Sequence, residues 1–271
     1  MSTPLFWRDP AIPHVELRKV ADGRSVCYAP HTHAQWSMGA ITGGESSFAY
    51  AGHNFHVSTG SLVFVNPEWV HACNPVAGRP WAYYMLYVDA AWLANLRHRL
   101  GLSNHAAWQD LAADVMQAPE IFAAFVDLAE YLLTPSATGE DKHARLAAFL
   151  SALMLRLPAH SEPLPAPSRL RALAAYLDAH CTEAVSLDAL CAFTDLSPGH
   201  LIRSFRRHFH MTPHAYLINR RIQLGQRELR RGRPIVEAAL NAGFADQPHF
   251  QRTFKRLLAA TPHQYRKTSV D

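Results

Sequence analysis

Residues 196–216 read LSPGHLIRSFRRHFHMTPHAY, and residues 245–265 read ADQPHFQRTFKRLLAATPHQY. At an offset of 49, His200 meets His249, Arg203 meets Arg252, Phe205 meets Phe254 and Arg207 meets Arg256. Thr212, Pro213, His214 and Tyr216 likewise meet Thr261, Pro262, His263 and Tyr265. Self-similarity at a fixed period marks one supersecondary unit used more than once. Each copy predicts a helix capped by Ser197 or Asp246, whose side-chain oxygens suit an amide of the first turn. Leu201, Phe205 and Phe209 recur every four residues, as do Phe250, Phe254 and Leu258, so each helix has an apolar stripe for a core. The opposite faces are basic, with Arg203, Arg206 and Arg207 in one and Arg252, Lys255 and Arg256 in the other.

A shorter helix precedes each basic one. Ser186 caps Leu187 to Phe193, and Pro234, which loses no hydrogen bond at a first helical position, starts Ile235 to Ala242. Gly243 lies where the second pair must turn sharply, a position suited to a residue tolerant of positive φ. A short helix, a tight turn and a longer helix make a helix-turn-helix, here over 186–209 and 235–258. Between them a helix runs from Pro213 to about Arg231, where Gly225 suggests either a second helix packed closely against it or a simply tolerated glycine. Another, Arg169 to His180, opens this domain.

Charge divides along the same line. From Ser168 onward there are 16 Lys and Arg against 8 Asp and Glu, leaving 10 against 14 in the rest. Such asymmetry suggests that the C-terminal half meets a polyanion. Pro158, Pro163, Pro165 and Pro167 make 158–168 a semi-rigid linker between a domain over 1–157 and one over 169–271. No apolar run is long enough to span a bilayer and no leader is visible, so a cytoplasmic protein without a membrane partner is expected. Cys27, Cys73, Cys181 and Cys191 have no zinc-knuckle spacing and read as buried thiols in a reducing compartment.

The N-terminal half opens with an irregular arm to about residue 13. From His14 to Val88 short apolar runs alternate with turn clusters, which predicts a β-barrel or double-sheet fold. From Asp89 to Leu157 the pattern is helical, over 90–100, 106–116, 121–133 and 142–157. In the last, Leu146, Phe149, Leu150, Leu153 and Leu157 form a stripe that fits packing on its own barrel or pairing with a second copy. The expected class is therefore α+β, a β-barrel with following helices and then an all-α domain.

His31 and His33, two apart, would point the same way on a strand, and His71 follows the turn Asn66-Pro67-Glu68-Trp69. Here the chain resembles the cupin-like effector domains of the AraC/XylS family of transcription regulators, which carry a similar His-x-His strand and Pro-turn-His segment. The cupin pattern also places a glutamate a few residues after His33, where this chain has Ser37 and Met38. His31, His33, Trp36, Tyr50, Phe64, Trp69 and His71 form the candidate ligand pocket. Three imidazoles at His31, His33 and His71 also suit a divalent metal, an alternative left open beside a pocket with no cofactor and a plain aromatic core.

Residues 169–267 resemble the DNA-binding domain of the same family, from Gly243 to Arg256 and on through Thr261-Pro262 and Tyr265-Arg266. The family usually has glycine two residues before each Thr-Pro; here His210 and Ala259 stand there, so either loop is open to a different conformation. An α-helix fits the major groove, and base contacts come from exposed residues near each helix start. The candidate DNA-binding residues are Gly199, His200, Ile202, Arg203, Arg206 and Arg207 in the first unit. In the second they are Gln247, Pro248, His249, Gln251, Arg252, Lys255 and Arg256. The reading is a non-enzymatic, sequence-specific regulator, an activator or a repressor, binding promoter DNA under a small-molecule effector. A homodimer and RNA polymerase are its expected protein partners. Two alternatives stay open: a metal-binding cupin enzyme fused to a DNA-binding domain, which the absent glutamate disfavours, and a constitutive DNA binder whose N-terminal half dimerises.

Overall fold

The computed structural model describes residues 4–76, 78–160 and 166–266. Its backbone contacts form two compact units. One holds the chain up to Cys27 and from His33 to the linker; the other holds Tyr28–Thr32 and the chain after the linker as far as Arg266.

The first unit contains the antiparallel strands β1 (Leu5–Trp7), β2 (Val15–Val20), β3 (Trp36–Tyr50), β4 (His53–Ser58), β5 (Ser61–Val65), β6 (His71–Pro75), β7 (Trp81–Val88) and β8 (Val115–Gln117). They run in the order β1-β2-β7-β3-β5-β8, and the far half of β3 pairs with β4 and β6. A register shift between Ile41 and Gly43 separates the two halves of β3. Helices α1 (Ala90–Arg99), α2 (Pro119–Leu133) and α3 (Gly139–Met154) complete the unit.

Strand alternation sorts the sheet into two faces. Leu17, Leu86, Met38 and Phe64 are register partners across β2, β7, β3 and β5, as are Val15, Val88 and Trp36 across β2, β7 and β3. These residues share one core with Phe125 and Leu128 of α2 and Leu146 and Leu150 of α3. The α3 stripe therefore packs on its own sheet. The second face carries the rows Arg18-Met85-Gly39-Val63 and Glu16-Tyr87-Ser37-Val65. Arg18, Ser37, Val63 and Val65 are buried too, so this face is also covered, as a double-sheet or barrel architecture requires.

Four expectations need correction. The arm before residue 13 contains β1, paired with β2. Residues 106–116 form no helix, because their backbone bonds elsewhere. Leu111 donates to Asn66 Oδ1 and accepts from Asn66 Nδ2, Ala112 donates to Pro158 O, and Val115–Gln117 joins β5. Pro158 and His160 both accept or donate bonds in this pairing, so the linker starts after them; Pro163 and Pro165 lie outside the described residues. Of the four cysteines, Cys73 alone is buried, and Cys27 is exposed.

The second unit contains α4 (Ser168–Ala179), α5 (Leu187–Thr194), α6 (Pro198–Phe209), α7 (Pro213–Arg230), α8 (Ile235–Asn241), α9 (Gln247–Leu258) and α10 (Pro262–Arg266). Asp246 Oδ1 caps α9 by accepting from His249 N–H at 2.6 Å. Ser197 stands at the N-cap of α6 without that bond, ahead of Pro198. Gly225 does mark close packing: a Cβ there would lie 2.5 Å from Phe250 of α9. Gly243, at φ +77°, makes the predicted turn between α8 and α9.

His210 (φ 55°) and Ala259 (φ 50°) both adopt the left-handed conformation. The loops before each Thr-Pro thus keep a shape that glycine favours, although neither residue is glycine. A left-handed non-glycine residue costs about 1–2 kcal/mol, partly offset by glycine's entropy in the unfolded chain. Ala259→Gly should accordingly stabilise the second unit by roughly 0.5–1 kcal/mol, read as a higher denaturation midpoint; a lower midpoint would contradict this backbone conformation.

Candidate DNA interface and ligand site

In the second unit the sequence predictions for α6 and α9 map onto one pattern. Leu201 and Phe205 of α6, and Phe250, Thr253, Phe254 and Leu257 of α9, are buried. Gly199, His200, Arg203, Arg206 and Arg207 are exposed, as are Pro248, His249, Arg252, Lys255 and Arg256; Ile202, Gln247 and Gln251 are half-buried. The burial follows from the aromatic contacts. Phe250 packs edge-on to Phe244 and Phe254, which in turn meets Tyr265, while Phe205 meets Phe209 and Tyr216.

Details near the helix starts bear on base reading. The guanidinium of Arg203 folds back over Gly199, with Nη1 3.2 Å from where a Cβ of that residue would stand. The missing side chain at 199 therefore leaves room for Arg203 at the start of α6. His249 is exposed, yet its ring rests edge-on against Phe244 at 5.2 Å, so packing orients it.

The helix-turn-helix units are also joined to one another. Arg221 of α7 donates from Nε to Cys181 O at 2.6 Å and from Nη2 to Glu183 O at 2.7 Å. This holds the loop between α4 and α5 against the connecting helix. The backbone of Thr182 in that loop lies against Gly243, in the turn of the second helix-turn-helix.

In the first unit the candidate pocket residues part into different places. Trp36 and Phe64, 6.1 Å apart, lie in the helix-facing core. They are one strand position out of phase with the second face and cannot contribute to it. On that other face His33 and His71 meet in a T-shaped contact at 4.7 Å. His33 also meets Tyr87 at 5.2 Å and lies 3.3 Å from Ser37 Oγ through Nε2. Tyr50, the register partner of His71, accepts bonds from Asn66 N and Nδ2 and lies 5.5 Å from Trp69. Trp69 donates from Nε1 to Asp110 Oδ2 at 2.8 Å.

His31 and His33 fall in different units. The chain before Trp36 is not a strand, so the two-residue alternation does not apply to it. The His31 ring stacks on Tyr28 at 5.3 Å, within the segment that belongs to the second unit. Among the described residues no three His, Cys, Asp or Glu side chains are grouped to hold a metal ion.

Both buried imidazoles face a backbone carbonyl with Nδ1: His33 meets Gln35 O at 2.7 Å and His71 meets Trp69 O at 3.0 Å. This places the proton on Nδ1 and makes Nε2 an acceptor. Burial, then the neighbouring His33, lowers the pKa of His71 to about 3, so its ring is neutral. Cys73, 3.0 Å from Ser46 Oγ, is pushed up to about 12 by burial, so its thiol is inert at neutral pH. Sequence reasoning missed Ser37, Tyr87 and the buried Glu16 and Arg18 on this face. In Val15-Glu16-Leu17-Arg18-Lys19 the charges suggest the solvent side, while the register turns Glu16 and Arg18 inward.

The lowered pKa of His71 has a consequence for acid stability. The unfolded chain takes up a proton near pH 6.5 while the folded chain refuses it until about 3. This contribution is complete above pH 6.5 and falls as pH drops through the window between those values, by about 1.4 kcal/mol per pH unit for one proton. His71→Asn should flatten that part of the stability curve in pH-dependent denaturation. An unchanged slope would show that His71 is not the group responsible.

Comparisons to known proteins match both units of the chain. Residues 17–174 match the family model of the AraC-like ligand binding domain, and residues 190–268 match that of a helix-turn-helix domain. The HTH-type transcriptional regulator YbfI of Bacillus subtilis is 28% identical over 227 residues, covering 81% of this chain and 80% of YbfI. Regulatory protein SoxS of Escherichia coli is 35% identical over 95 residues, covering 35% of this chain and 89% of SoxS. The crystal structure of an apo ToxT variant from Vibrio cholerae shares the fold with a TM-score of 0.58 at 12% identity, over 93% of this chain and 96% of the ToxT chain. Among the described residues no helix is long and apolar enough to cross a membrane. With an AraC-like ligand-binding domain followed by paired basic helices on an aromatic core, the chain belongs to the AraC family of transcription regulators.

Proposed function

We propose that this regulator binds one duplex through α6 and α9, under the control of a small molecule bound on the inner face of the β-domain. The observation that carries the DNA half is the repeated pairing of exposed Arg and Lys with buried aromatics on both helices. Two helices on one scaffold suit successive major-groove segments about 34 Å apart. The effector half rests on the buried polar set His33, Ser37 and His71, with half-buried Tyr87 and with Tyr50 beside it. Such a set is costly to bury and suits hydrogen bonding to a polar ligand. The proposal includes non-enzymatic action in the cytoplasm as a homodimer that activates transcription through RNA polymerase.

The test is a thermal-shift screen of the full chain against small metabolites and, separately, divalent metals, since a ligand selective for the folded state raises apparent stability. A metabolite whose effect is lost in Ser37→Ala and His71→Asn supports the reading. Stabilisation by metals alone would return the metal alternative, and no stabilisation by any compound would favour a constitutive DNA binder.

A further inference from the structure

The segment Tyr28–Thr32 lies in the N-terminal half of the sequence, between β2 and β3, yet its contacts place it in the DNA-binding unit. Thr32 N–H donates to Asn219 Oδ1 at 3.1 Å, and Asn219 Nδ2 donates to Thr32 Oγ1 at 2.7 Å. Gln223 Nε2 donates to both Thr32 O and Thr32 Oγ1 at 3.1 Å. Ala29 N–H donates to the carbonyl of Arg256 in the last turn of α9 at 2.9 Å. Asn219 and Gln223, one helical turn apart on α7, are 4% and 7% exposed, and Thr32 is 6% exposed. A buried amide needs a partner, and here a short strap supplies it to both.

The strap leaves the reading surface open. Arg203, Arg206, Arg207, Arg252, Lys255 and Arg256 are exposed with the strap in place. It therefore braces the unit without covering the side chains that meet DNA. The residue after Thr32 is His33, which returns to the first unit and meets His71, Tyr87 and Ser37. One peptide bond thus separates the buried anchor of the DNA-binding unit from the buried polar set of the β-domain.

We propose that Tyr28–Thr32 is a working part of the DNA-binding unit, anchored by Thr32 on Asn219 and Gln223, and that the Thr32–His33 junction transmits changes at His33 to α7 and α9. The transmission rests on the effector reading above; the anchoring does not.

The test is a double-mutant cycle in the full chain with Thr32→Val and Asn219→Ala, read by amide hydrogen exchange in α7 and at Ala29 and by affinity for a labelled random-sequence duplex. Each single change should speed α7 exchange about tenfold, the effect of losing a buried hydrogen-bonded partner, and weaken DNA binding. The double variant should be little worse than either single one, and Thr32→Ser should restore the wild-type values. Additive effects, or unchanged α7 exchange, would overturn the anchoring.

Transmission is read separately, with no effector. His33→Ala should alter exchange at Ala29 and in α7 in the wild-type background and not in Thr32→Val. His33→Asn, which keeps a donor for the Gln35 carbonyl, replaces it if the alanine variant does not fold. Unchanged exchange at Ala29 and α7 would overturn the transmission while leaving the anchoring to its own cycle.

Discussion

Replacing Gly243 by alanine is expected to destabilise the C-terminal unit by about 3 kcal/mol, from left-handed backbone strain and overpacking together. Gly243 sits at φ +77°. A Cβ there would lie 2.7 Å from both the Cα and the carbonyl oxygen of Thr182. These are backbone atoms, so no rotamer change relieves the contact. The loop that carries Thr182 is itself held by Arg221 through two carbonyls. Either the α8–α9 turn opens or this loop moves, and in both cases α9 shifts relative to α6. Chemical denaturation of the full chain should show an earlier transition of the helical unit and little change in the β-domain, with DNA affinity falling in parallel. Gly225→Ala is a useful comparison, because its obstacle is the Phe250 ring at 2.5 Å, a side chain that has some freedom to turn. A Gly243→Ala variant as stable as the wild type would refute the contact between the turn and the loop.

The second large effect concerns what the helices read. Arg252→Ala is expected to cost about 1–3 kcal/mol on the preferred duplex and to relax base preference at one position, as loss of a bidentate guanine contact does. Arg256, farther along α9 with its carbonyl bonded to Ala29 N–H, lies away from the helix start and suits a phosphate. Arg256→Ala should weaken all duplexes alike and lower the salt slope of binding by about one. Selection from a random duplex pool, followed by salt titration, separates the two behaviours. A uniform loss from Arg252→Ala would reassign it to the backbone. In α6 the same experiment on Arg203 tests the space over Gly199, since Gly199→Ala should disturb the Arg203 contact without adding charge.

The helical unit was legible in the sequence because its signals are local: caps, spacing of four and the Thr-Pro repeats each act within a few residues. Even there, the shape of the loops at His210 and Ala259 is not written in their residue types, since neither side chain signals a left-handed residue. The β-domain was legible as a class and misleading in detail. Trp36 and His33 are near neighbours in sequence, yet the register of β3 with β7 sends Trp36 to the helix-facing core. Arg18 and Glu16 look like surface residues and are buried. The apolar content of 106–116 suggested a helix, but Asn66 and Pro158, distant in sequence, take its backbone bonds. In each case the deciding partner lies far along the chain, where no periodicity can announce it.

The assignment of Tyr28–Thr32 to the C-terminal unit also bears on the order in which the molecule can be made. Domains generally fold as units and N-terminal first during synthesis, and β2, β3 and β7 can pair once Val88 has emerged. The strap between β2 and β3 then has nowhere to dock until Asn219 and Gln223 have been synthesised. The nascent β-domain must therefore carry Tyr28–Thr32 as an unanchored loop through the translation of the linker and the first helices. The DNA-binding unit, for its part, completes its folding on a segment made nearly 200 residues earlier.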